Sequence, residues 1–125
     1  MKALDQYQKR KYLNLETFRK NGDCMRTPVW FVQIGDILYV HTLANSGKVR
    51  RIRNNDRVNI APCGMDGKLV GSWVPAQAYV MTDPEKSTLV DHMLDKKYGL
   101  LRKMYENQSA RMGVKSTNLE IKITE

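Results

Sequence analysis

Three apolar runs separated by two tight-turn dipeptides fill the stretch from residue 12 to 42. YLNLETF (12–18) alternates apolar and polar residues, the period of a half-buried strand. Asn21-Gly22 follows, the strongest short-range hairpin signal. TPVWFVQI (27–34) then reads as one nearly continuous apolar strand, Gly35-Asp36 as a second turn and ILYVHT (37–42) as a third strand. The pattern predicts a three-stranded antiparallel meander. Pro28 has no amide hydrogen, so it belongs at the start or edge of its strand or beside a bulge, leaving the backbone there free to meet something other than a neighbouring strand.

The remaining chain continues the theme. A polar helical lead-in is expected over Ala3–Arg10. Ser46 or Asn45 is a suitable N-cap for a short helix running to about Asn54, with Val49 and Ile52 spaced i, i+3 toward the sheet. RVNIAPC (57–63) is a further strand, and KLVGSWVPAQAYVMT (68–82) one or two more with a bulge near Gly71. Asp83-Pro84 starts a helix that puts Leu89, Met93, Leu94 and Tyr98 inward and stops at Gly99. A second short helix is expected over Leu100–Tyr105, a polar loop over 107–116 and a closing strand in NLEIKIT (118–124). Six or so short strands with helical segments argue for a mainly β (α+β) small barrel, with a swivelled sandwich as the nearest alternative.

At 125 residues the chain has the length of one domain able to bury a real core. Apolar residues make up 42% of it, and no stretch approaches the eighteen or so apolar residues of a membrane span. MKALDQYQKRKYL carries cations without an apolar region behind them, so neither a secretory signal nor an anchor is expected, and a cytoplasmic location is. Cys24 and Cys63 lack CxxC partners and have only His41 and His92 to join them, so no metal site is expected; both thiols read as small buried or half-buried groups.

The formal net charge of +8 raises the expectation of an anionic partner. Its densest part is HTLANSGKVRRIRNNDR, where Thr42, Ser46 and Gly47 precede Lys48, Arg50, Arg51, Arg53 and Arg57. A helix beginning at Ser46-Gly47 points its free amides and positive dipole end toward those hydroxyls, an anion site in outline. Nothing in the periodicity says which cations converge, and a nucleic-acid backbone, a cofactor phosphate and plain solvent all remain open as their partner. TLANSGKV is not a P-loop: it lacks the first glycine and has Val49 where a hydroxyl is required. His41 is expected to point off its strand toward solvent or a partner subunit, and no acid–base or nucleophilic set stands out, so no catalytic residue is assigned.

The blocks YLNLETFRKNGDCMRTPVWF, LYVHTLANSGKVRRIRNNDRVNIAPC and GKLVGSW, with a helix ending KKYGL, resemble in order and spacing the flavin-binding split barrels related to pyridoxamine 5′-phosphate oxidase, especially the branch using the deazaflavin coenzyme F-420. The resemblance implies a six-stranded antiparallel split β-barrel with short flanking helices over residues 1–125. It implies a homodimer with cofactor sites at its interface and a flavin- or deazaflavin-dependent oxidoreductase passing a hydride to a small organic acceptor, with coenzyme F-420 or FMN bound. Thr27, Pro28, Val29 and Trp30 match the strand along the ring. Thr42, Ser46, Gly47, Lys48 and Arg51 match the phosphate group's holders, Ala61 and Pro62 the strand beneath the ring, and Trp73 a wall of the cleft. The surplus cations Lys9, Arg10, Lys11, Arg50 and Arg53 could serve the anionic tail of the deazaflavin. Related branches bind or degrade haem, which makes a non-catalytic flavin or tetrapyrrole binder one alternative; a basic barrel binding nucleic acid is another, with few stacking aromatics to support it.

Overall fold

The computed structural model describes residues 2–111, 113 and 115–124. Among them are α1 (Lys2–Asp5), β1 (Tyr12–Phe18), β2 (Cys24–Val29), β3 (Phe31–Ile34), β4 (Ile37–Leu43), α2 (Gly47–Asn54), β5 (Arg57–Cys63), β6 (Val74–Val80), α3 (Pro84–Tyr98), α4 (Leu100–Arg111) and β7 (Ser116–Ile123). The strands form one antiparallel sheet in the order β2-β1-β5-β6-β7-β4-β3.

Its two edge strands, β2 and β3, are consecutive in the chain and joined by a single residue, Trp30. Laid flat, seven strands about 4.8 Å apart would put those edges nearly 30 Å from one another. One residue cannot span that, so the sheet curls into an antiparallel half-barrel and β2 comes up against β4. The seam between them is not closed by a strand ladder.

Seven strands form where six were expected because TPVWFVQI is not one strand. Residues up to Val29 pair with β1 (Leu13↔Val29 through Phe18↔Cys24), whereas residues from Phe31 pair with β4 (Phe31↔Val40 through Ile34↔Ile37). The two hairpins therefore sit at opposite ends of the strand order, and a three-stranded meander does not form. Tyr98 fixes the switch point. Its hydroxyl accepts from the Phe31 amide at 2.9 Å and lies within donating reach of the Lys11 carbonyl (2.8 Å) and the Phe31 carbonyl (2.9 Å). Its ring stacks on Trp30, centroids 4.8 Å apart and planes 17° from parallel.

Two apolar clusters hold the fold. Inside the curl, Leu13, Leu15, Leu38, Ile60, Leu119 and Ile121 are fully buried, and α2 adds Val49 and Ile52 to them, as the spacing predicted. On the outer face, α3 covers Val32 and Tyr39 with Val90, Leu94 and Tyr98. That stripe is i, i+4, i+8; Leu89, expected inward, is 51% exposed because Val90, one position on, takes the inward phase.

Other boundaries differ from expectation. The lead-in helix stops at Asp5 and continues as turns. Residues 70–73 are not in a strand; Leu69 makes a lone bridge to Cys63 and the regular strand starts at Val74. The helices are less short than expected: α4 continues through Arg111, so 107–111 are helical and not loop, while residues 112 and 114 of that stretch lie outside the described residues. No Gly or Pro interrupts Leu100–Arg111, which lets the helix run on. The closing strand begins at Ser116. No helix among the described residues is long and apolar enough to cross a membrane.

Candidate functional site

At the seam lies a cleft of about 320 Å³. Thr27, Pro28, Val29 and Trp30 form one wall, with Tyr12 beside them; His41 and Thr42 of β4 form the other, and Lys48 closes one end. Pro28 sits in an edge strand, where its missing amide costs no ladder bond. The wall is thus an unpaired strand edge with apolar side chains, a surface against which a flat ring can lie.

The polar end is built by the start of α2. Ser46 is the N-cap and its hydroxyl accepts from the Val49 amide at 3.4 Å; Thr42 Oγ1 is 3.4 Å from the same hydroxyl. Helix geometry leaves the amides of Gly47 and Lys48 without intrahelical acceptors. Burial pulls the Lys48 ammonium below the ordinary lysine range, and the neighbouring Arg51 charge adds to that. Arg51 is itself lowered, by burial first and then by Arg19 and Arg50. Among the described residues no carboxylate offsets either of them. Cations held together without an anion among them form a site whose electrostatics improve when an anion arrives.

Of the expected ligand-holding residues, the cleft brings together Thr27, Pro28, Val29, Trp30, Thr42 and Lys48. Ser46 and Gly47 adjoin its polar end. Arg51 stands behind the helix start: its Nε donates to Thr17 Oγ1 at 2.6 Å, and its guanidinium lies across Gly47, where an added Cβ would come 2.6 Å from Nη1. Gly47 is therefore a close-approach glycine, but what approaches it is Arg51. Ala61 and Pro62 are not in the cleft. The register sets Pro28, Asn14 and Ala61 in one row and Val29, Leu13 and Pro62 in the next, so β5 is two strands, about 10 Å, from the β2 edge. Trp73 is likewise outside, with the Arg26 guanidinium 5.1 Å from its ring centroid.

His41, to which no role was assigned from its surroundings in the chain, lines the cleft, its side chain only 6% exposed. Its Nδ1 lies 2.8 Å from Asn118 Oδ1. The Asn118 amide donates to Ser87 Oγ at 2.9 Å and to Asp91 Oδ1 at 3.0 Å, so Oδ1 is the accepting atom and His41 Nδ1 carries a proton. Asp91 is in turn held by the buried Arg102 at 3.2 Å, which also donates to Asp95 at 2.7 Å. Of the expectation that His41 faces solvent or a partner subunit, the solvent half fails because α3 and β7 close over it, and no local pattern announces partners 50 and more residues away. Cys24 is exposed and Cys63 buried, both free, so the expected burial holds for Cys63 alone.

A larger groove of about 730 Å³, lined by Arg19, Lys20, Arg57 and Gln77 among others, contains none of the strand edge or hydroxyl residues. Volume does not make it the better candidate; the smaller cleft joins an apolar wall to an anion-binding end. Among the described residues no cluster of His, Cys, Asp or Glu is arranged to hold a metal.

No protein-family model and no curated protein matches the chain. Solved structures do. The haem storage protein HutZ from Vibrio cholerae superposes with a TM-score of 0.74 at 16% identity, covering 97% of this chain and 87% of that one. A protein from Clostridium acetobutylicum related to general stress protein 26 and assigned to the pyridoxinephosphate oxidase family gives 0.68 at 14%, covering 98% and 81%. An F-420 reductase gives 0.64 at 15%, covering 100% and 95%. The curled sheet, the single-residue switch between its edges and these superpositions agree: the chain has the fold of the split barrels related to pyridoxamine 5′-phosphate oxidase.

Proposed function

We propose that this chain is a cytoplasmic homodimeric reductase, one domain over residues 1–125, that uses a deazaflavin of the coenzyme F-420 type, or FMN as second choice, to pass a hydride to a small organic acceptor. The observation that carries the proposal is the meeting of the Thr27–Trp30 edge with Thr42 and Lys48 in one cleft. Such a cofactor brings the hydride chemistry when bound, so the chain's task is to bind, orient and exclude water.

The residues present fit that task. Lys48, the Thr42 and Ser46 hydroxyls and the first amides of α2 would hold a phosphate; Pro28, Val29 and Trp30 would seat the ring. A cleft of about 320 Å³ lies at the small end of ligand sites, about 300–1,000 Å³. It therefore calls for a second wall, which a second copy of the chain supplies in this reading. Ala61, Pro62 and Trp73, outside the cleft of one chain, remain candidates for the far side of a pocket completed in that way.

A second reading, a tetrapyrrole-binding protein without turnover, is favoured by the superposition on HutZ and by His41 at the cleft wall. Nucleic acid is not proposed as a partner. Titration of the purified protein with F-420, FMN and haemin, followed by fluorescence and absorbance, separates these readings. Saturable binding of a flavin-type cofactor below about 100 µM, on the order of −5.5 kcal/mol, together with acceptor reduction supports the first. Binding of haemin alone supports the second, and binding of none refutes both.

A further inference from the structure

A second groove, about 440 Å³, lies away from the seam between the turn after α1, β3 and the end of α3. Its floor is apolar: Tyr7, Phe31 and Val32 are 2%, 1% and 3% exposed, and Met93 is half-buried at the rim. Three lysines, Lys9, Lys96 and Lys97, are among the residues that line it, and no acidic residue is. Lys9 is the one non-glycine residue in left-handed backbone (φ 61°) among those described, a conformation that costs energy and persists where the surroundings impose it. Lys97 is fixed: its Nζ donates to the Phe31 carbonyl at 2.8 Å and sits 3.7 Å from the Phe31 ring centroid.

We propose that this groove binds a small amphiphilic anion, an apolar body resting on Tyr7, Val32 and Met93 and a carboxylate held by Lys9, Lys96 and Lys97. Three lysines line one groove with no counter-charge in its lining, while the floor beside them cannot be satisfied by water. Only a ligand carrying both properties answers both. The unbranched thioether of Met93 lets the rim adapt to its body. The volume falls within the range of small-molecule sites. The inference does not depend on the cleft at the seam.

One consequence is a pH dependence. Lys97 as a residue is more than a third exposed, but burial of its ammonium end, which sits against the Phe31 ring, pulls its pKa down to about 8. The other titratable groups facing it are Lys9, Lys96, Tyr7 and Tyr98; burial pushes both tyrosines well above their ordinary range, so neither contributes near pH 8. An anion favours protonated Lys97, so affinity is full below pH 8 and falls as pH rises through it.

The test is calorimetric titration of the full chain with 2-naphthoate, and with 2-naphthylmethanol as the neutral counterpart of the same shape. Expected are one saturable site for naphthoate, at least tenfold weaker binding of the alcohol, at least fivefold loss on Lys96→Gln and a loss of affinity between pH 7 and 9 that Lys97→Gln flattens. Lys20→Gln, in the other basic groove, should change nothing. Equal binding of acid and alcohol, indifference to both Lys96→Gln and Lys97→Gln, or no binding at all would overturn the proposal.

Discussion

Replacing Tyr98 by Phe removes one oxygen and leaves the ring stacked on Trp30. That oxygen accepts from the Phe31 amide, which is buried with its residue, and reaches the carbonyls of Lys11 and Phe31. The Phe31 carbonyl keeps Lys97 as a donor, and the exposed Lys11 carbonyl can turn to water. The Phe31 amide has neither recourse. Leaving one buried donor unpaired costs about 1–3 kcal/mol. With a urea m-value of about 1.5 kcal/mol/M, the unfolding midpoint should fall by about 1 M at unchanged m. Tyr79→Phe, at a tyrosine 40% exposed, serves as the control and should stay within about 0.5 kcal/mol. Tyr98→Phe should also weaken cofactor binding, because Tyr98 pins the point where the strand edge of the cleft ends. A Tyr98→Phe midpoint no lower than that of Tyr79→Phe would refute the claim that this hydroxyl holds the switch between β2 and β3.

Lys48→Ala should weaken binding of a phosphate-bearing cofactor by about 1–3 kcal/mol, roughly 5- to 150-fold in Kd by fluorescence titration, with the urea midpoint nearly unchanged. Arg102→Met should lower stability by about 2 kcal/mol in thermal unfolding. That is less than the 3–5 kcal/mol of a fully buried broken pair, because Asp91 and Asp95 are 45% and 53% exposed and can rehydrate. Glu16 is pushed up by burial, but hydrogen bonds from Asn59 and Arg26 and the Arg26 charge outweigh that and leave its pKa below the ordinary glutamate value. A lowered folded-state pKa means stability present above about pH 4.3 and lost as pH falls through the ordinary glutamate range and below. Urea midpoints between pH 7 and 3 should show that loss in the wild type and less of it in Glu16→Gln.

What was legible in the sequence was local. The Ser46 cap, the Val49/Ile52 stripe, the Asn21-Gly22 hairpin and the Asp83-Pro84 helix start each depend on residues a few positions apart, and each stands in the structure. The break at Trp30 does not depend on its neighbours: the run TPVWFVQI favours a strand throughout, and its change of partner is held by Tyr98, 67 residues beyond Phe31. The same holds for His41, whose surroundings come from Asn118 and Asp91. Apolar spacing in α3 admits two phases one residue apart, one of which puts Leu89 inward, and only the face of β3 and β4 selects Val90. Of the candidate site, the strand edge and the hydroxyl–lysine group were readable as separate motifs. That they meet, and that Ala61, Pro62 and Trp73 do not join them within one chain, follows from the curl of the sheet, which no segment encodes by itself.

The proposed site would dock negative charge at the start of α2, beside the Thr27–Trp30 edge. Amide chemical shifts of the ¹⁵N-labelled protein during titration with FMN test it most directly. Saturable shifts are expected at Gly47, Lys48 and Thr42 together with Thr27, Val29 and Trp30, while Arg57 and Gln77 in the larger groove stay still. Saturation at the larger groove with Gly47 and Lys48 unmoved would contradict it.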